Sequence, residues 1–346
     1  MERTNMEYSV SGTALLGESL EAQSVTLYVK DGIITAVEEE NRLYNRWICP
    51  AFFNAHTHIA DTIAMDQPCS GSLEELVSPP NGLKHRLLRQ TPRENLITAM
   101  KGTLQEMIST GTAGFIDFRE QGPEGVSALQ EATEGIAIQP VILGRDGGER
   151  VSDGAGISSA RDIDSWTDIA ARMKREGKIV AFHAGEKDPD DIDAALSIQP
   201  DLLVHCTHAT KKQIREIADA DIPVAVCCRS NFLLGVASSG ENPPIREMVD
   251  AGVEILIGTD NVMFVQPDMM QEMSFIHAVY KLPEREILKS ATSGFCPSGI
   301  SHAIKPGNPA KFSVLDTSWG NLTYSRDIVS TIVKRAPLSH FCARIF

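Results

Sequence analysis

The spacing of apolar residues changes character along the chain. Residues 25–29 and 32–37 are short apolar runs set around Lys30-Asp31, the pattern of two strands joined by a tight turn. From Ile48 onward, compact apolar runs alternate with stretches of helical spacing. Strand-like runs fall at 48–53, 113–118, 136–143, 179–182, 202–204, 224–227 and 253–257, with a weaker one at 154–158. Amphipathic stretches lie between them at 93–109, 160–175, 211–220 and 244–251. Strand and helix alternating in this way predict an α/β fold, a (β/α)8 TIM barrel. A doubly wound sheet would alternate too, but no GxGxxG loop follows the first strand. After Lys305 the pattern returns to β at 309–316. Both chain ends are therefore expected to meet in a small composite β-sandwich, residues 1–49 plus 306–346. It would lie beside a barrel catalytic domain of residues 50–305.

Composition narrows the function classes. With 346 residues, 42% of them hydrophobic, the chain can bury a large core without disulfide staples. A net charge of −14 with no Lys/Arg block repels phosphate backbones, so nucleic acid is not an expected partner. No apolar run approaches the ~20 residues of a membrane helix. Met1-Glu2-Arg3-Thr4-Asn5 lacks the apolar core of an export signal, and the seven cysteines form no CxxC pair. These features predict reduced thiols and a cytoplasmic protein without a membrane partner. A homo-oligomer stays open.

The chemistry gathers at the ends of the strand-like runs. His56-Thr57-His58 closes the first run, and alternation puts both imidazoles on one face of a strand. Later runs end in Asp117-Phe118-Arg119-Glu120, Gly144-Arg145-Asp146, His183-Ala184-Gly185-Glu186, His205-Cys206-Thr207-His208, Arg229-Ser230-Asn231 and Gly258-Thr259-Asp260-Asn261. Five of the nine histidines fall at these ends, too many for satisfied core side chains. In a barrel the C-terminal ends of the strands face one active site. Imidazole nitrogen and carboxylate oxygen suit Zn²⁺, with Fe²⁺ second, and a catalytic site keeps one position open for water. His56, His58, His183 and Asp260 would supply the ligands to one divalent ion. That ion lowers the pKa of bound water to about 7, giving hydroxide at neutral pH. Glu186 can carry a proton to the leaving group, and His205 can hold or polarise the attacking hydroxide. Asp260 can touch the metal and accept the water's proton.

These stretches, in this order, resemble the amidohydrolase superfamily, in its branch of cytosine, nucleoside and S-adenosylhomocysteine deaminases and chlorohydrolases. The resemblance runs from Pro50 to His58 and through Met107 to Asp117. It continues in His183-Ala184-Gly185-Glu186, Val204-His205-Cys206-Thr207-His208, Ser230 to Gly235 and Gly258-Thr259-Asp260. Ala291-Thr292 and Pro309-Ala310-Lys311 stand where the family has its closing helix and sandwich strand. The resemblance implies a barrel with one catalytic metal, the ligand set named above, Glu186 as proton shuttle, His205 as hydroxide-positioning residue and His208 as a neighbour of the site. Dinuclear relatives bridge two metals with a lysine from the fourth strand; the absence of lysine from 146–172 favours one metal. The chain departs from the family at Ala51, where a glycine is usual. It departs again at Cys227-Cys228-Arg229, where His-Cys-Pro is common, and at Asn261, where a glycine is common. Arg229 and Asn261 are expected close to the substrate.

Outside the metal set, Arg119, Glu120, Arg145, Asn231 and Asn261 are polar strand-end residues that could contact substrate. A guanidinium matches a carboxylate or phosphate; the competing role for either arginine is an ion pair with Glu120 or Asp146. The expected function is hydrolytic deamination of a small heterocycle, a purine, pyrimidine or pterin base or nucleoside, with water as the second substrate. The alternatives are cyclic-amide hydrolysis or chlorohydrolysis by the same water and, less favoured, a metal-binding protein without turnover.

Overall fold

The computed structural model describes residues 7–68 and 70–346. Two sheets organise the chain. The N-terminal strands are β1 (Glu7–Leu16), β2 (Glu21–Lys30), β3 (Ile33–Glu39) and β4 (Arg46–Pro50). Asp31 and Gly32, both with positive φ, make the tight turn between β2 and β3 that the sequence pattern predicts.

The parallel strands follow as β5 (Phe52–His58), β6 (Thr112–Arg119), β7 (Gln139–Gly144), β8 (Gly154–Ile157), β9 (Ile179–Ala184), β10 (Leu202–His205), β11 (Val224–Val226), β12 (Ile255–Ile257) and β13 (Asp260–Asn261). The sheet order is β12-β11-β10-β9-β8-β7-β6-β5-β13, so neighbours in sequence are neighbours in space. β12 pairs β11 and, after Gly258-Thr259, β13 pairs β5. β12 and β13 are thus two halves of one broken strand, and they bring the last strand back to the first. Asn54 stitches this seam: its Nδ2 donates to Thr259 Oγ1 at 2.8 Å and its Oδ1 accepts from Thr259 N at 3.1 Å. The weak run at 154–158 is a strand, and the helices Arg93–Ser109, Trp166–Arg175, Lys211–Asp219 and Ile245–Asp250 fall where helical spacing predicts them.

One boundary is corrected. The apolar run at 48–53 is not a single strand. It divides at Ala51: β4 belongs to the N-terminal sheet and β5 runs on through the histidines to His58. Ala51 N donates to Lys311 O and Phe52 N to Gly111 O, so the chain passes from one sheet to the other within two residues. Residues 47–60 are buried in both environments, and hydrophobicity therefore carries no mark of the border.

Beyond the barrel come β14 (Phe312–Asp316) and β15 (Phe341–Ile345). They join the N-terminal strands in one six-stranded sheet, β15-β14-β4-β1-β2-β3. Ile34 N donates to Asn308 O and Ala310 N to Gly32 O, so the chain crosses the β3 edge on its way into β14. The strands of this sheet share a buried core of Val25, Leu27, Val29, Ile34, Ile48, Phe312 and Val314. The segment after Lys305 is not all β. Helix Ile328–Arg335 sends Val329, Ile332 and Val333 into the core shared with Met273, Ile276 and Leu288 of the barrel helices.

Candidate active site

Six of the polar residues singled out by sequence converge at the C-terminal mouth of the parallel strands. His56 and His58 lie on one face of β5, their ring centroids 4.9 Å apart, while Thr57 between them turns away and donates to Ile116 O. The His183 ring centroid is 4.8 Å from that of His56, and His205 is 5.5 Å from His56. Asp260 faces them across the seam: its Oδ1 lies 3.1 Å from His56 Nε2 and 3.6 Å from His58 Nε2. Glu186 Oε2 is 3.7 Å from His205 Nε2. His205 and Asp260 both have positive φ, a conformation that costs a non-glycine residue about 1–3 kcal/mol and that clusters at functional sites.

Neighbours hold each group in place. His58 Nδ1 faces Phe118 O at 3.1 Å and Glu120 Oε1 at 2.9 Å. His183 Nδ1 faces Ile157 O at 2.9 Å. Ser230 Oγ donates to Asp260 Oδ2 at 2.6 Å. Asp117 Oδ2 accepts from Ile59 N at 2.7 Å and anchors the turn that leaves His58. Gly258 lies against the back of His56. A Cβ there would meet His56 Cβ at 2.6 Å, so glycine is the residue this approach permits.

Burial sets the charge states. It pushes His56 down to about 4, His58 down to about 3 and His183 well below the usual histidine range, so all three are neutral and offer lone pairs. Burial would push Asp260 up, but the hydrogen bond from His56 holds it below the usual carboxylate range. Burial raises Glu186, which favours a carboxyl able to hold a proton nearer neutral pH. His56 Nδ1 and His205 Nδ1 are buried without a hydrogen-bond partner. Ligand atoms of His56, His58 and Asp260 lie within 4.8 Å of one another, as do those of His56, His183 and His205. Neutral imidazoles, a carboxylate and orphaned ring nitrogens fit a divalent ion of the zinc type.

Residues 47–178 match the model of the amidohydrolase family, and residues 151–305 that of adenosine deaminase. A relative in Methanothermobacter thermautotrophicus that carries an aminohydrolase name is 34% identical over 381 residues, covering 95% of this chain and 98% of its own. The chain belongs to the amidohydrolase family. A 5-methylthioadenosine/S-adenosylhomocysteine deaminase of Halobacterium salinarum is 26% identical to this amidohydrolase over 84% of the chain and 77% of its own length. Among solved structures, the atrazine chlorohydrolase of Arthrobacter aurescens TC1, complexed with zinc, superposes with a TM-score of 0.78. Its identity is 14%, and the match covers 94% of this chain and 90% of that one; it shares the fold.

The residues expected to contact substrate stand in different places in the amidohydrolase. A cavity of about 60 Å³ is lined by His58, Lys84, Arg145, His183, Glu186, His205, Asp260 and Asn261, among others. It shares Ser158, Asp162, His183 and Glu186 with a chamber of about 410 Å³, which leads outward under the 73–82 segment. Arg145 and Asn261 thus stand on the cavity wall. Arg119, Glu120 and Asn231 lie behind it, at most 2% exposed. Arg119 pairs with Asp117 at 3.3 Å and Glu120 at 2.6 Å, the ion-pair role weighed for it above. Asn231 donates to Thr207 Oγ1. Arg229, expected close to the substrate, turns outward: Nε donates to Glu272 and Nη1 to Gln271, both on the helix Met269–Tyr280. The missed residues are Lys84 and Asp61. Lys84 Nζ sits 3.0 Å from Asp61 Oδ2 and 2.8 Å from Glu120 Oε1, all three side chains buried. No strand end announces Lys84; it arrives on helix Leu83–Gln90, within the segment that follows β5.

Proposed function

We propose that this chain is a metal-dependent hydrolytic deaminase acting on an aminated heterocycle: a purine, pyrimidine or pterin base or nucleoside. The observation that carries this reading is that His56, His58, His183, His205 and Asp260 fall into two groups of three that share His56, the ligand atoms of each group within 4.8 Å of one another, with the partly exposed Glu186 on the wall of the same cavity. His56, His58, His183 and Asp260 would hold a single zinc ion, which supplies Lewis-acid activation of the attacking water.

The side chains divide the remaining work. His205 orients the attacking water. Asp260 accepts a proton from it, since neighbouring histidines and Ser230 keep its carboxylate ionised and aimed into the site. Glu186 delivers a proton to a ring nitrogen, which lets the ring carbon take up the nucleophile; the proton that Asp260 took from the water then restores Glu186, which passes it to the amine so that the C–N bond breaks and ammonia leaves. Glu120 fixes the ring of His58 through Nδ1. The 410 Å³ chamber beside the small cavity gives room for a substrate bulkier than a bare ring. The aminohydrolase and deaminase names of the relatives support deamination over the other hydrolyses.

The division of the chain follows the same reading. Residues 50–305 are the catalytic unit in this reading and residues 1–49 plus 306–346 the small one, with two exceptions: Pro50 belongs to β4 of the six-stranded sheet, and helix Ile328–Arg335 packs against the helices of the larger unit. No described helix is long and apolar enough to cross a membrane. The described cysteines are free, in keeping with a cytoplasmic enzyme.

Ammonia release from a panel of aminated bases, nucleosides and pterins by zinc-loaded protein tests the proposal. Turnover of at least one is expected. Silence on the whole panel together with hydrolysis of hydantoins, lactams or chlorotriazines would replace deamination by one of those reactions.

A further inference from the structure

Lys84 is 3% exposed, a burial at which lysine is rare unless paired. Its side chain lines the small cavity together with His58, His183, Glu186 and Asp260. Its ammonium has three N–H donors and no acceptor. Two carboxylates engage it, Asp61 at 3.0 Å and Glu120 at 2.8 Å, which leaves one donor for the cavity that it lines. Arg145, on the same wall, is also a donor-only group; its Nε is spent on Gly156 O at 2.7 Å. The carboxylates behind this wall do not line the cavity. Asp61 is held by Lys84; Glu120 is held by Lys84, Arg119 and His58. Lys84 and Arg145 therefore offer N–H donors to the cavity, while the carboxylates that line it are Asp162, Glu186 and Asp260.

We propose that Lys84 is a specificity-determining residue that donates to an oxygen on the substrate ring, so that the enzyme selects oxo-bearing aminated heterocycles over oxo-free ones such as adenine. The inference rests on the deaminase reading and names its substrate class. A ring with an oxo group facing Lys84 satisfies the buried ammonium. A ring without one leaves the third N–H of the buried ammonium without a partner, a loss on the order of tenfold to hundredfold in selectivity.

The test is kcat/KM for ammonia release by zinc-loaded protein on cytosine, guanine and pterin against adenine and adenosine. It is run for the unsubstituted enzyme, Lys84→Met and the charge-balanced double variant Asp61→Asn/Lys84→Met, with zinc content measured alongside. The double variant keeps the buried cluster neutral should the single one fold poorly. The expected result is a preference of about tenfold or more for the oxo-bearing compounds, lost in the Lys84 variants while zinc content stays constant. A preference for adenine compounds, or an oxo preference that survives loss of Lys84 in zinc-loaded protein, overturns the inference and leaves the deaminase standing. No ammonia from any compound would instead overturn the deaminase reading.

Discussion

Glu120 Oε1 lies 2.9 Å from Nδ1 of His58, on the side of the ring away from Asp260. Burial would raise this carboxyl, yet Lys84, His58 and Arg119 together hold it well below the usual carboxylate range. A charged group this deep is tolerated because Lys84, Arg119 and His58 answer it at close range. The same contact fixes the tautomer and direction of His58, since a carboxylate beside Nδ1 keeps the proton there and leaves Nε2 free to bind metal.

Glu120→Gln should therefore weaken zinc retention by about 10–100-fold, because the amide keeps the shape and loses the charge that orients the ring. Competition against a zinc chelator measures this. Unchanged retention in folded protein would show that Phe118 O alone positions His58.

Glu186→Gln should keep zinc and lose about 10²–10⁴-fold in kcat, the contribution of a positioned proton carrier. Metal analysis and steady-state assays on the best substrate of the panel separate the two effects. Near-normal turnover would remove Glu186 from the mechanism.

Gly258→Ala should displace His56, because the new methyl would sit 2.6 Å from the His56 Cβ and 2.9 Å from its backbone nitrogen. Backbone cannot yield as a flexible side chain can. Reduced zinc content and a lowered melting temperature are expected, read by metal analysis and thermal unfolding. A variant that matches the parent on both would mean that the strands separate here without cost.

His302 gives a pH dependence independent of the metal cluster. Burial lowers it from 6.5 to about 4, and its Nδ1 donates to Ala51 O at 2.9 Å while Nε2 has no partner. The unfolded chain thus takes up the proton first. Its contribution to stability is fully present above pH 6.5. It is lost as the pH falls through the interval from 6.5 to about 4, at up to about 1.4 kcal/mol per pH unit, and then levels off. His302→Asn keeps a donor for Ala51 O and removes the titration. Denaturant unfolding from pH 7 to pH 4 should show a shallower fall for the variant, and parallel curves would contradict it.

Much of the site is legible in the chain because strand ends in a barrel share one mouth. Once the apolar runs mark the strands, His56, His58, His183, Glu186, His205 and Asp260 are placed together by the periodicity alone. The supporting contacts leave no such trace. Ser230 meets Asp260 from the short helix Cys228–Leu233 that follows β11, Asn54 meets Thr259 across the closing seam, and Lys84 arrives from a loop helix. Arg229 stands in the right stretch for a substrate contact, yet its guanidinium goes to Glu272, since a buried carboxylate on an adjacent helix outcompetes an open cavity.

The amino-acid sequence by itself determined the order of strands, the helices between them and the identity of the chemistry at the barrel mouth, since each of these is written in local spacing. Tertiary structure decided where β4 hands over to β5, which arginines face the cavity and how the buried charges pair. These depend on residues far apart in the chain meeting in one low-dielectric space, where each charge takes the nearest partner that balances it, and no local pattern records that choice.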